Sequence, residues 1–237
     1  MDALPSWPGT RRSLRIAVIA SLIGLAAAVV VGVAVHGSDA GIGFDLWLNS
    51  LHSPAWDAIA RAVAVGFQPT SAVVIGAALA VIVAVRLRRV LPGLAAGAAV
   101  AIGWLCTGVL KIVIDRPRPV WTDAVHQVVA PETDGSYPSG HTAFATALVV
   151  TIVLLAWRTR ARWWALVGGS TLVVITAFAR MYVVVHYPID VIAGAGCAVC
   201  GVVLAFAVFD VIARRLTVPA PTLASDRTPV RTRTARR

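Results

Sequence analysis

The sequence predicts an all-α integral membrane protein: a bundle of six transmembrane helices, with an interfacial helix between the first and the second. The chain of 237 residues is 58% hydrophobic and only 14% charged, whereas a soluble domain carries about 25% charged residues. Its apolar residues also fall in runs long enough to cross about 30 Å of hydrocarbon as helices. Because a helix satisfies its own backbone hydrogen bonds, it is the structure that such runs adopt in lipid.

The six predicted spans occupy 14–36, 70–87, 90–112, 141–157, 163–184 and 188–212. They define a predicted membrane domain over 14–212, which follows a short cytoplasmic segment at 1–13. The remaining residues, 213–237, are rich in Pro, Thr and Arg. Since such a composition cannot bury a core, this basic cytoplasmic tail is predicted to be disordered.

The segment between the first two spans, from Phe44 to Phe67, is predicted to contain the interfacial helix. Trp56, Ile59 and Val63 recur there at helical spacing. Tryptophan favours the boundary between lipid and water, so a helix here would lie along the membrane surface and cover a site that opens there. A simple loop is the alternative.

Basic residues flank the apolar runs unevenly. Clusters of arginine precede the first run, separate the second from the third and the fourth from the fifth, and follow the sixth. Since Lys and Arg collect on the cytoplasmic side of membrane proteins, both termini are predicted to be cytoplasmic, in the cell membrane. Orientation and contact with anionic membrane lipids explain the net charge of +10, so no nucleic-acid partner is expected.

The remaining basic residues oppose this bias, and most of them lie in three polar segments at the ends of apolar runs. The first segment is Lys111–Pro119, the second is Pro138–His141, and the third contains Arg180, His186 and Asp190. Snorkelling interface anchors would collect on the cytoplasmic side. Ionisable groups at such positions are costly, so the set indicates a functional site on the extracytoplasmic face.

The residue types in these segments are suited to binding phosphate. Lys111, Arg118 and Arg180 supply positive charge, and guanidinium groups bind phosphate oxygens in bidentate fashion. Ser139 is a good N-cap for the helix that follows, and the free amides of its first turn form an anion site. Gly140 lets the backbone approach the phosphate closely.

Two histidines and a carboxylate supply the groups for covalent phosphoryl transfer. Asp190 follows His186 by four residues, a spacing that lets the carboxylate fix one ring nitrogen and leave the other as a nucleophile. His141 then fits as the proton donor to the leaving oxygen. A metal site is the competing interpretation, but three nearby cations would repel a divalent ion. We expect no metal and no cofactor.

Three motifs in the chain resemble the signature motifs of the type 2 phosphatidic acid phosphatase (PAP2) superfamily: Lys111-x6-Arg118-Pro119, Pro138-Ser139-Gly140-His141 and Arg180-x5-His186-x3-Asp190. The resemblance implies that His186 forms a phosphohistidine, that Asp190 orients it and that His141 protonates the leaving group. It also implies a set of phosphate-binding residues, namely Lys111, Arg118, Ser139, Gly140 and Arg180. The third motif usually begins Ser-Arg, and here Ala179 replaces the serine, which removes a hydroxyl.

The resemblance implies a membrane lipid phosphatase that removes the terminal phosphate of a lipid phosphate or diphosphate. Candidate substrates are undecaprenyl or other polyprenyl diphosphates, phosphatidylglycerol phosphate and phosphatidic acid. A lipid phosphotransferase that uses the same intermediate is one alternative. A non-enzymatic binder of lipid headgroups is the other, although binding alone needs no nucleophile. The sequence leaves the oligomeric state open.

Overall fold

The computed structural model describes residues 4–5, 7–123 and 125–217, and these contain helices and no strand. The all-α prediction is confirmed. The described residues form eight helices: α1 (Arg11–Val35), α2 (Ile42–Ser50), α3 (Pro54–Gly66), α4 (Pro69–Leu87), α5 (Val90–Ile114), α6 (Gly140–Leu155), α7 (Ala161–Tyr182) and α8 (Pro188–Thr217).

Within the described residues, five helices are long and apolar enough to cross a membrane, namely α1, α4, α5, α7 and α8. Helix α6 is also apolar but has only 16 residues. At 1.5 Å per residue it is about 24 Å long, which is less than the hydrocarbon thickness. An integral membrane bundle is therefore confirmed, whereas the count of six spans stays a prediction.

The segment predicted as one interfacial helix forms two, α2 and α3. The helix is interrupted because Ser53 is the N-cap of α3 and its side chain accepts a hydrogen bond from the N–H of Trp56. Pro54, at the start of α3, has no N–H with which to continue the preceding helix. Buried residues of α3, Ala60 and Val63, share an apolar cluster with residues at the end of α7. The helix pair therefore covers that end of α7.

Helices α5, α6 and α8 pack closely at the centre of the bundle through small residues. Ala99, Ala143, Ala147 and Ala198 are all fully buried in one cluster. A Cβ placed at Gly103 of α5 would lie 2.7 Å from Val202 of α8 and 2.9 Å from Ala147 of α6. Small side chains let helix backbones approach in membranes, where apolar burial alone supplies little driving force.

The first turn of α8 is joined to the start of α6. The N–H of Ser139 donates to the carbonyl of Asp190 at 2.9 Å. A Cβ placed at Gly194 would lie only 2.4 Å from the carbonyl oxygen of Ser139. The second and third polar segments of the sequence are therefore brought into contact by backbone packing.

The last helix runs to Thr217, beyond the predicted end of the sixth span at 212. The other predicted spans begin and end within a few residues of the observed helices. The rest of the predicted tail, 218–237, lies outside the described residues.

Helix α2 buries two polar side chains, Asn49 and Asp45, and only Asn49 has hydrogen-bond partners among the described residues. Asn49 donates to the carbonyls of Tyr182 at 2.8 Å and His126 at 3.0 Å, and accepts from the N–H of His126. Asp45 is 0% exposed, and neither of its oxygens has a hydrogen-bond partner among the described residues. Burial, with a smaller contribution from Asp190, raises the pKa of Asp45 to about 8.

We expect Gly194→Ala to destabilise the protein, because the added methyl group overlaps the backbone at the start of α6. Overpacking of this kind costs about 1–3 kcal/mol. The measurement is the thermal unfolding midpoint in detergent micelles. Gly196→Ala, on the same helix, is the matched control, since a Cβ there would have no neighbour within 4 Å apart from the adjacent residues and the backbone of its own helix. Equal midpoints for the two variants would show that the close contact at Gly194 is not required.

The stability of the protein should also depend on pH through Asp45. Its carboxyl keeps a proton in the folded protein up to about pH 8 but ionises near its usual 3.8 when the chain unfolds. The unfolded state therefore binds fewer protons in this interval, and stability falls as the pH rises, by up to about 1.4 kcal/mol per unit.

Asp45→Asn, which does not titrate, tests this dependence. The difference in unfolding midpoint between Asp45→Asn and the wild type should grow in favour of the variant between pH 5 and pH 8. Parallel curves for the two proteins would mean that Asp45 does not hold its proton.

Candidate active site

The three polar segments predicted from the sequence meet at one end of the bundle. Lys111 lies in the last turn of α5 and Arg118 follows in the loop, whereas Arg180 lies in the last turn of α7. His186 occupies the short loop before α8, and Arg118 Nη1 lies 3.3 Å from His186 Nε2. We call Lys111, Arg118 and Arg180 the cationic cluster.

The loop that carries His186 is held by its backbone carbonyls. Arg118 Nη1 donates to the carbonyl of Val185 at 2.7 Å, and Trp121 Nε1 donates to that of Val184 at the same distance. Val184 has a φ of 52°, which is unfavourable for a β-branched residue. Packing and hydrogen bonds therefore impose a strained conformation two residues before His186.

His186 is neutral in this environment. Its side chain is only 1% exposed, and burial, followed by the charges of Arg118 and Arg180, holds the pKa of His186 well below its usual range. Nδ1 lies 3.6 Å from Asp190 Oδ2, longer than a hydrogen bond. The spacing of four residues does bring the carboxylate to the imidazole, but without a formed hydrogen bond.

Asp190 is held by Arg116, a residue that the sequence reasoning did not assign to the site. Arg116 Nη1 lies 2.6 Å from Asp190 Oδ1, and both side chains are buried. The other carboxylate oxygen accepts from the N–H of Tyr187 at 2.9 Å. Arg116 also donates to the carbonyl of Ser38 and stacks 3.8 Å above the ring of Tyr187. The sequence could have indicated Arg116 as a site residue, because it opposes the cytoplasmic bias of the other arginines and lies within the first polar segment.

The second polar segment begins α6, as predicted. Ser139 is the N-cap, but its hydroxyl lies 3.2 Å from Thr142 Oγ1 and makes no capping bond to the backbone. His141 Nε2 lies 3.2 Å from the carbonyl oxygen of Ala64 in α3. Gly140 is not tightly packed, since a Cβ placed there would lie 3.8 Å from Trp104 Nε1, an ordinary van der Waals contact.

A cleft of about 510 Å³ opens beside these residues. Its polar end contains Lys111 and His141, whereas its walls include Phe67, Trp104 and Leu105. The cleft therefore combines a charged end with apolar walls, as a site for an amphipathic ligand requires.

Two acidic residues of the loop between α5 and α6, Glu132 and Asp134, contact the cationic cluster. We call them the acidic pair. Burial would raise the pKa of Glu132, but Arg180 and Arg118 outweigh burial and keep this pKa below its usual range. Burial likewise opposes ionisation of Asp134, yet hydrogen bonds and charge from Lys111 and Arg118 lower its pKa to about 2. Both carboxylates are therefore ionised at neutral pH, and sequence reasoning missed both.

Two further observations concern the predicted residue set. Ala179, which stands where the resemblance leads us to expect serine, is buried in the apolar cluster that contains Ala60 and Val63. No group of three or more His, Cys, Asp or Glu side chains arranged to hold a metal occurs among the described residues.

Comparison with curated proteins identifies relatives that share one name. The chain is 33% identical over 107 residues to undecaprenyl-diphosphatase BcrC of Bacillus subtilis (strain 168), covering 45% of this chain and 51% of that protein. It is 34% identical over 87 residues to an undecaprenyl-diphosphatase of Sulfolobus acidocaldarius, covering 36% of this chain and 40% of that protein. The chain thus matches about half, or less, of the length of these relatives.

Solved structures share the fold. A transmembrane PAP2-type phosphatidylglycerolphosphate phosphatase from Bacillus subtilis superposes with a TM-score of 0.59 at 17% identity, covering 82% of this chain and 94% of that one. LpxE of Aquifex aeolicus superposes with a TM-score of 0.53 at 18% identity, covering 76% of this chain and 98% of that one. At such identities the likeness concerns the fold alone.

The family model described as the PAP2 superfamily matches residues 92–215, which is more than half of the chain and includes all three polar segments. The chain therefore belongs to the PAP2 superfamily.

Proposed function

We propose that this protein is an integral-membrane lipid phosphatase that removes a terminal phosphate through a phosphohistidine formed on His186. One observation carries the proposal: the neutral imidazole of His186 places Nε2 3.3 Å from Arg118 Nη1. A phosphoryl group bound by that guanidinium would lie directly beside the nucleophilic nitrogen.

In the first step, His186 Nε2 attacks phosphorus and the bond to the leaving oxygen breaks. His141 protonates that oxygen, which departs with the lipid. Asp190 lies 3.6 Å from Nδ1, and a small approach would form the hydrogen bond that stabilises the charged, phosphorylated ring. In the second step, water attacks the phosphohistidine, His141 accepts its proton, and inorganic phosphate leaves.

The cationic cluster stabilises the charge on the transferring phosphoryl oxygens. Arg118 and Arg180 offer forked donors, and Lys111 adds a third charge. The backbone amide of Gly140, at the start of α6, supplies a further donor, whereas the N–H of Ser139 donates to the carbonyl of Asp190. Since three cations already neutralise the phosphate and would repel a divalent ion, the proposed reaction needs no metal.

The substrate that we propose is a polyprenyl diphosphate such as undecaprenyl diphosphate; phosphatidylglycerol phosphate and phosphatidic acid are the other candidates. The names of the curated relatives support this order, and the apolar walls of the cleft suit a lipid chain. The distribution of arginines favours a site on the extracytoplasmic face, with both termini in the cytoplasm.

His186→Ala should abolish the release of phosphate, with a loss of roughly 10³-fold or more, because the proposed covalent intermediate forms on this side chain. The measurement is phosphate release by purified protein from each of the three candidate lipids. His36→Ala, which removes an exposed histidine at the end of α1, is the matched control. Near wild-type activity in His186→Ala would overturn the mechanism.

The same assay tests the proposed independence of metal. Wild-type activity should persist in excess EDTA, and a strict requirement for Mg²⁺ would contradict the mechanism. Labelled product other than inorganic phosphate would show transfer to another hydroxyl instead of hydrolysis.

Arg116→Gln should lower both kcat and the thermal unfolding midpoint, because Asp190 would then be buried without its counter-charge. Breaking a buried ion pair costs about 3–5 kcal/mol. The double variant Arg116→Gln/Asp190→Asn removes both charges, so its midpoint should recover while phosphate release stays low. Wild-type kcat and a wild-type unfolding midpoint in Arg116→Gln would show that Arg116 does not position Asp190.

A further inference from the structure

The acidic pair engages every member of the cationic cluster. Glu132 Oε2 lies 2.7 Å from Arg118 Nη2, and Glu132 Oε1 accepts from Arg180 Nη2. Asp134 Oδ1 lies 2.6 Å from Arg118 Nη2, and Asp134 Oδ2 lies 2.8 Å from Lys111 Nζ. Two carboxylates thus bind the three cations through all four of their oxygens.

We propose that Glu132 and Asp134 are substrate mimics, which occupy the cationic cluster when no phosphate is bound and are displaced by the phosphoryl group of the substrate. They would thereby set the affinity of the site for phosphate. This inference rests on the proposed function of the same site.

The acidic pair and a bound phosphate group carry similar negative charge. Two ionised carboxylates carry two negative charges, and a phosphate monoester carries about 1.5–2 with three acceptor oxygens. Either one neutralises most of the charge of the cationic cluster. Buried Arg180, only 1% exposed, would be costly without such a counter-charge. The acidic pair therefore lowers the cost of holding the cations together and competes with phosphate for them.

The cations are more firmly held than the carboxylates. Arg118 is 9% exposed and also donates to the carbonyl of Val185, and Lys111, 17% exposed, also donates to the carbonyl of Gly135. The side chains of Glu132 and Asp134 are 29% and 58% exposed. They belong to a segment without helix or strand, so they can turn towards solvent while the cations stay in place.

Arg180 retains donors for a further acceptor. Its Nε and Nη1 are buried and have no hydrogen-bond partner among the described residues. Buried donors normally have partners. The three oxygens of a phosphate could satisfy donors of Arg180 that the single contact with Glu132 leaves unused.

A permanent structural role for the acidic pair predicts the opposite effect on binding. If the carboxylates serve to hold the cations in position, their neutralisation should weaken phosphate binding. If they are mimics, their neutralisation should strengthen it. The sign of the change in the dissociation constant therefore decides between the two roles.

The experiment measures binding of inorganic phosphate by isothermal titration calorimetry to purified protein with intact His186. Glu132→Gln, Asp134→Asn and the double variant keep the shape of each side chain and remove its charge. We expect the dissociation constant for phosphate to fall by about tenfold or more in the double variant, and less in each single variant. A fall in the Michaelis constant for the lipid substrate should accompany it.

Asp123→Asn is the matched control, because it removes one charge from an exposed position in the same loop. Arg180→Gln should abolish binding in every background, which shows that the phosphate measured is bound at the cationic cluster. An unchanged or higher dissociation constant in the double variant, or an equal gain in Asp123→Asn, would overturn the proposal. If the double variant does not fold, the single variants give the same sign.

Binding and turnover are read separately, so the two proposals can fail independently. Absence of phosphate release from every candidate lipid by the wild type would overturn the proposed function but leave the binding result intact. Normal release without tighter binding in the variants would overturn only the mimicry.

Discussion

Buried positive charge is the constraint on which this end of the bundle depends. Arg116 is 0% exposed and Arg180 is 1% exposed, in a chain that is otherwise largely apolar. A buried guanidinium is costly unless a carboxylate balances its charge. Asp190 forms an ion pair with Arg116, and Glu132 forms one with Arg180. Each pair ties a loop to a helix end, so charge neutralisation also determines how the segments assemble.

The same charges set the chemistry of His186. Burial and nearby cations favour the neutral imidazole, which is the form that can attack phosphorus. Arg116 binds one oxygen of Asp190 and the N–H of Tyr187 donates to the other, so the carboxylate is held 3.6 Å from Nδ1 of His186. The proposed nucleophile His186 and its proposed orienting group Asp190 thus both lie beside buried ion pairs.

Charge balance also links the fold to the proposed reaction. A cluster of three cations suits a phosphate, yet it would repel itself when phosphate leaves. The acidic pair offers a counter-charge from within the chain, at the cost of competition with the substrate. Membership of the PAP2 superfamily and the apolar walls of the cleft are consistent with a lipid phosphate as the group that competes.

The helices and the three polar segments could be predicted from the sequence because both depend on local information. A run of apolar residues is helical in lipid whatever its neighbours, and the positions of Lys111, His141 and His186 follow from where such runs end. The division of the interfacial segment was missed, although Ser53 and Pro54 are the cap and first residue of α3. The predicted roles of the site residues remain proposals.

Only the tertiary structure decided which residues form ion pairs across long stretches of the chain. Arg116 meets Asp190 across 74 residues, and Arg180 meets Glu132 across 48. Nothing local to either member of such a pair identifies the other. The sequence alone determined which segments are helical and where charge interrupts them. Which carboxylate neutralises which cation depends on distances of a few ångströms between remote segments, and only packing sets those distances.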